Sequence, residues 1–234
     1  MSHRVTSKWL ISIAITVILL TLKGHAVEAK ENAFPENDLS YPVGLKSSIG
    51  NSAGQFLEAI KKFKEIWGPE IEAKFGKELE IKEKWYSDKV NAHATRDWSN
   101  NAVITIHGGM ARHPDMTLDG LYLILCHELG HQFGGAPKKK RGNTEKRSWS
   151  SAEGQADYFA TSKCLPRLFE QIPQQAYAKS DDALKSQLKR SEGKALKKLC
   201  QSNVCQRIAL ASLSVAKMFK SVQNSLEDPN FSAN

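Results

Sequence analysis

Beyond residue 22 this sequence has no apolar run that could cross a membrane, which takes roughly 20 consecutive residues, so the mature chain is expected to be soluble. It shows no internal repeat. Cysteine is scarce, at four residues, and none directly follows the N-terminal apolar run, so a lipoprotein anchor is not expected. No aromatic residues interleave with its densest basic stretch, "KKKRGNTEKR" (138–147), and nucleic acid is therefore a poor candidate partner. A composition of 41% hydrophobic and 25% charged residues does not fit disorder along the whole length.

What is present begins with a leader. "MSHRVTSK" carries Arg4 and Lys8, "WLISIAITVILLTL" runs apolar from Trp9 to Leu22, and "KGHAVEAK" offers small residues for cleavage after Ala26 or Ala29. That order describes a secretory signal peptide over residues 1–29, with an uncleaved anchor as the alternative. The mature chain is expected to be exported, to a periplasm or outside the cell. Of the formal +8 charge, Arg4, Lys8 and Lys23 against Glu28 give the leader two, leaving +6. Residues 138–147 hold six basic residues and one acidic one, which reads as a solvated loop. Contact with an anionic surface or substrate is the sharper reading. Cys126, Cys164, Cys200 and Cys205 all lie in the mature part, and an even count in an exported chain favours disulfides, in any of three pairings.

Residues 30–54 read as an irregular arm, rich in Pro, Gly, Ser and Asn. Phe56, Ile60, Phe63 and Trp67 then recur at helical spacing, with a stop expected near Gly68-Pro69. "LEIKEKWY" (79–86), "VNAHATRD" and "NAVITIHGG" alternate as strands, the last two parted by "WSNN". Val103, Thr105 and His107 should share one face, with Ile104 and Ile106 on the other. Thr117 is a fitting cap for a helix over 118–133 that Gly134-Gly135 ends. Apolar residues surround the axis of that helix, which marks it as buried. A further helix is expected over 150–164, capped by Ser150 or Ser151, and the lysine-rich remainder, 166–234, is helical in pattern. These elements predict an α+β fold, mainly helical, with a small mixed or antiparallel sheet packed on a buried metal-binding helix. The catalytic core should span 55–170, and 171–234 should pack on it.

The buried helix carries the polar trio His127, Glu128 and His131. Two histidines four apart lie one turn apart on one face and can converge on one zinc ion. Glu128 projects beside that face, where it can take a proton from a water the ion activates. Buried polar side chains need partners, and a metal supplies them. Cys126 points about 100° away from His127 and reads as core or disulfide. A third histidine at the spacing His-x-x-Gly-x-x-His is missing, because position 137 is Pro137. Glu153 is the better third ligand. Asp157, one turn later, can orient a ligand histidine through its other ring nitrogen. The alternative for both acids is ordinary charge at a helix N-terminus.

"VNAHA", "AVITIHGG", "HELGH" and "EGQAD" in this order resemble the gluzincin peptidases of the HtpX and CAAX-prenyl-protease type, over residues 88–164, roughly a third of the chain. The small, exported, soluble members are the nearer likeness. The resemblance implies zinc held by His127, His131 and Glu153, Glu128 as general base, and Asp157 behind a ligand. It also implies that the strand near 102–107 borders the cleft and accepts substrate backbone as an added strand. Two features depart from the family. There are no membrane-spanning helices, and His93 stands where an aromatic residue is common. His107, His113 and Tyr158 are candidate oxyanion donors, though each fits an ordinary structural role. The expected function is an exported zinc metalloendopeptidase acting on peptides or proteins. The alternatives are a zinc-bound binding or chaperone-like domain with little turnover, and a zinc amidase acting on cell-wall material.

Overall fold

The computed structural model describes residues 31–32, 37–44, 50–140, 146–173, 186 and 188–222. The expected signal peptide lies outside the described residues. So do the middle of the basic stretch (141–145), residues 174–185 and residues 223–234. The fold is α+β.

Helix α1 (Ala53–Phe75) opens on a reciprocal cap. The Ser52 hydroxyl accepts from the Gln55 N–H, and the Gln55 side chain accepts from the Ser52 N–H. Phe56, Ala59, Ile60, Phe63, Trp67 and Ile71 form its buried stripe. The expected stop at Gly68-Pro69 is absent, and the helix runs through to Gly76, whose φ of 57° ends it. Pro69 removes one backbone hydrogen bond, but packing on both sides of it outweighs that loss. Trp67 packs against Phe159 (centroids 5.8 Å apart) and under the Arg167 guanidinium, while Glu70 pairs with Arg167 at 2.8 Å.

Strands β1 (Glu31–Asn32), β2 (Leu79–Lys84), β3 (Ala92–Arg96) and β4 (Ala102–His107) form a mixed sheet in the order β1-β3-β4-β2. β2 runs parallel to β4, β3 antiparallel to β4, and β1 antiparallel to β3. The arm is therefore not irregular throughout, since Glu31 stands opposite Ala94 and Asn32 opposite His93. β4 lies between two strands along its length, so it has no open edge for a substrate strand, contrary to the resemblance. Alternation along β4 does not separate core from solvent either. Val103 and Thr105 are buried on one face and Ile104 and Ile106 on the other.

After a short helix α2 (Gly108–Arg112), the central helix α3 (Leu118–Phe133) starts at Thr117, whose hydroxyl accepts from the Gly120 N–H at 3.0 Å. It is buried on every side as far as Gln132. The chain then turns through Gly135 (φ 91°) into a hairpin of β5 (Lys138–Lys140) and β6 (Arg147–Ser151). The ends of the expected loop are thus paired strands. The expected serine cap is also displaced. Ser150 and Ser151 belong to β6, the Ser151 hydroxyl donates to the Gly135 carbonyl at 2.8 Å, and α4 (Glu153–Phe159) begins after Ala152 with no side-chain cap. A π-helical turn (Ala160–Cys164) leads into α5 (Leu165–Gln171). Disulfides join Cys126 to Cys164 and Cys200 to Cys205. The first ties α3 to the π turn, and the second bridges α6 (Arg190–Leu199) and α7 (Asn203–Val222).

α7 lies along α3. The Ser214 hydroxyl accepts from the Thr117 N–H, and buried Arg207 pairs with Asp119 in the first turn of α3. His113, a candidate oxyanion donor by sequence, belongs to this structural seam. Its Nδ1 accepts from the Asp115 N–H at 3.1 Å, which leaves Nε2–H to donate to Ser221 Oγ at 2.9 Å. The first of these bonds requires a neutral ring. Burial holds its pKa below the ordinary 6.5, against the opposing pull of Asp115. The unfolded chain therefore takes up the proton first as pH falls. The His113 contribution should be complete above about pH 6.5 and should shrink as pH drops towards the lower folded value. Urea midpoints measured between pH 8 and pH 5 should fall less steeply in His113→Gln than in the wild type. Equal slopes would show that His113 is not the group responsible.

Candidate metal centre

α3 and α4 meet at Gly130. A Cβ there would stand 2.7 Å from the Ala156 carbonyl oxygen, so only glycine lets the two backbones approach this closely. That crossing brings Glu153 and Asp157, on α4, against His127 and His131, on α3. His127 Nε2 lies 3.1 Å and His131 Nε2 3.4 Å from Glu153 Oε2. One ligand atom from each of the three residues falls within 4.8 Å of the others, a group that could hold a metal ion.

The ring nitrogens on the far side are committed. His127 Nδ1 is 2.7 Å from Asp157 Oδ1, and His131 Nδ1 is 2.9 Å from the Ser151 carbonyl oxygen, with Ser150 Oγ at 3.3 Å. A carbonyl only accepts, so the His131 proton sits on Nδ1 and the Nε2 lone pair faces the cluster. Both Nε2 atoms and both Glu128 carboxylate oxygens are buried without a hydrogen-bond partner among the described residues. Leaving four such atoms bare is costly. A cation with nitrogen and oxygen ligands would satisfy the two imidazoles and Glu153 together, so the donor set fits a metal.

The electrostatics agree. Burial pushes the Glu128 carboxyl up to about 7, against the pull of His127 and His131. Burial opposes a charge on His127, yet the hydrogen bond to Asp157 and the close Glu153 and Glu128 carboxylates outweigh it and push this ring up to about 10. Burial also works against Glu153, but the close His127 and His131 rings and the bond from Lys139 hold its carboxyl well below the usual range. The acids around two imidazoles thus call for positive charge, which a divalent ion would supply in place of a proton.

All five residues singled out around the motif, His127, Glu128, His131, Glu153 and Asp157, come together here. Cys126 points away, into its disulfide with Cys164. The other candidate oxyanion donors are His107 and Tyr158. His107 Nδ1 pairs with Ser87 Oγ at 2.9 Å, its ring 5.9 Å from that of His93, and Tyr158 is 58% exposed.

Sequence reasoning missed Lys139, whose ammonium donates to Glu153 Oε1 at 2.6 Å. That contact leaves Oε2 as the oxygen facing both histidines. It also missed the Ser151 carbonyl behind His131. The alternation in "RSWSS" was the one available sign that this segment is a strand. Set against known protein families, curated proteins and solved structures, the chain gives no match.

Proposed function

We propose that this chain is an exported zinc-dependent metalloendopeptidase that resembles the gluzincins in its motif residues. The observation that carries the reading is the set of bare, buried atoms. His127 Nε2 and His131 Nε2 converge with Glu153, and the Glu128 carboxylate lies beside them with no partner. A domain that only held a metal would gain nothing from an additional bare acid at that place.

His127, His131 and Glu153 would hold the zinc, which when bound would supply Lewis acidity towards a carbonyl oxygen and lower the pKa of a water. Asp157 and the Ser151 carbonyl fix the aim of the two imidazoles. Lys139 turns Glu153 so that Oε2 faces the two imidazoles. Glu128 takes a proton from the attacking water as its oxygen bonds to the peptide carbon. It then delivers that proton to the leaving amine as the C–N bond breaks. Two disulfides suit an oxidising compartment. No helix among the described residues is long and apolar enough to cross a membrane.

Removal of the metal tests the reading. A strong chelator should abolish cleavage of an unstructured protein such as casein, and one equivalent of zinc should restore it. Cleavage that survives complete removal of the metal would overturn it.

A further inference from the structure

Trp98, in the turn between β3 and β4, is 98% exposed. The turn that presents it is firmly built. The Asp97 N–H donates to the Asn101 carbonyl and the Asn100 N–H to the Asp97 carbonyl. The Asp97 carboxylate accepts from the Asn101 N–H at 2.8 Å and from the Asn101 side chain at 3.1 Å. Asn100, with φ 63°, completes the reversal. A single apolar side chain at a surface calls for no partner. This ring differs in what surrounds it.

A second aromatic lies close by. Phe75, 48% exposed, ends α1, and Lys77, two residues on, donates to the Ser99 carbonyl next to Trp98. The Glu78 N–H donates to Asn101 Oδ1, which ties the same segment to the turn. The β5–β6 hairpin reaches this end of the sheet as well. Phe75, Lys77, Asn100 and Lys138 line one depression. The Lys138 carbonyl accepts from the Arg147 guanidinium, and Arg147 stands opposite Lys140 in the hairpin.

The face so formed is positive. Lys140, Lys146 and Arg147 are exposed on the hairpin, and Lys77 is half-buried beside the turn. Glu78 and Asp97 are the acids at the turn, and the Asp97 carboxylate is drawn onto Asn101. Cations around a projecting indole match the layers of a bilayer that carries anionic lipid. Phosphates meet the cations, and the ring settles at the level of the headgroups. Shape favours a bilayer over a folded partner. Trp98 projects from the tip of a turn and is no part of the lining of the depression, so it suits insertion rather than enclosure.

We propose that Trp98, Phe75 and the cations Lys77, Lys140, Lys146 and Arg147 form a docking face for the surface of an anionic lipid bilayer. The indole of Trp98 enters at headgroup level and the cations hold the phosphates around it. None of these side chains is a metal ligand, so the docking face stands apart from the peptidase reading.

The test is binding of residues 30–234 to phosphatidylcholine vesicles with and without phosphatidylglycerol. The leader is left out so that its apolar run cannot itself enter the vesicles. Sedimentation measures affinity, and tryptophan emission reports whether a ring leaves water. Vesicles with phosphatidylglycerol should bind about tenfold tighter or more, an advantage that shrinks as salt is added. Emission should shift to shorter wavelength on binding. Trp98→Ser should weaken binding about tenfold and remove the shift. Replacing Lys140, Lys146 and Arg147 together by serine should remove the preference for the anionic lipid. Tyr86, 87% exposed beyond the opposite end of β2, supplies the control, and Tyr86→Ser should change neither quantity. All these side chains are exposed, so folding is not at stake. Equal binding to both kinds of vesicle, or binding unchanged in Trp98→Ser, overturns the docking face. Equally tight binding to heparin, with no shift in emission on vesicles, shows a general polyanion contact and overturns it too.

Discussion

Glu128→Gln should lower kcat for peptide cleavage by about 10²–10⁴-fold while one metal ion per chain stays bound. Glutamine keeps the volume of the side chain, so a fully buried position gains neither a cavity nor a clash. His127, His131 and Glu153 keep their outer partners, because the bonds to Asp157, the Ser151 carbonyl and Lys139 do not include Glu128. What disappears is a carboxylate that can accept a proton. The loss should therefore fall on kcat, with KM little changed, since substrate is held by other groups. Thermal stability should not fall, because the exchange removes an acid that burial disfavours. Steady-state kinetics on a quenched fluorescent peptide, with metal content measured on the same sample, reads all three. Wild-type turnover by the variant would remove Glu128 from the mechanism.

Arg207→Met should cost about 3–5 kcal/mol of folding stability, because it leaves Asp119 as a buried, unpaired charge. The pair is two-pronged: Arg207 Nε to Asp119 Oδ2 at 2.9 Å and Nη2 to Oδ1 at 2.8 Å. Nη1 adds a bond to the Ile172 carbonyl at 2.7 Å, and the guanidinium stacks 3.8 Å from the centre of the Phe169 ring. One side chain thus joins α7, α5 and the N-terminus of the helix that carries the metal ligands. The partners are 2% and 0% exposed, so water cannot rescue a lone Asp119. A native margin is typically only about 5–15 kcal/mol, so the loss is large. Asp119→Leu combined with Arg207→Met should recover most of it, since the exposed cost lies in the orphaned charge rather than in the missing bond. Urea denaturation of the single and double variants measures this. A cost below about 1 kcal/mol for the single change would contradict a buried, tightly coupled pair.

What the sequence reveals about the site is what depends on local geometry. His127 and His131 share a face because they are one helical turn apart, and Thr117 caps because its hydroxyl reaches three residues on. Glu153 stands out because it opens the next helix and has a second carboxylate, Asp157, one turn on. The features that stayed hidden depend on residues far along the chain. Pro69 sits within a helix because Trp67 and Glu70 find Phe159 and Arg167, about a hundred positions away. Ser150 and Ser151 looked like helix caps, but their place in β6 is set by pairing with β5 and by His131. The six positive charges of 138–147 suggested a solvated loop, yet Lys138 turns inward to Trp149 and Ser151, and Lys139 reaches Glu153. Strand order is equally non-local. β4 reads in the sequence only as a strand, and its pairing with both β2 and β3 places it inside the sheet.

Metal content of the purified, folded chain bears most directly on a centre built from His127, His131 and Glu153. After dialysis against a low, buffered concentration of zinc, the wild type and Glu128→Gln should each carry one ion per chain. His131→Ala and Glu153→Ala should carry far less under the same conditions. A wild-type chain that binds no ion, or a His131→Ala chain that binds it as tightly as the wild type, would contradict the metal centre.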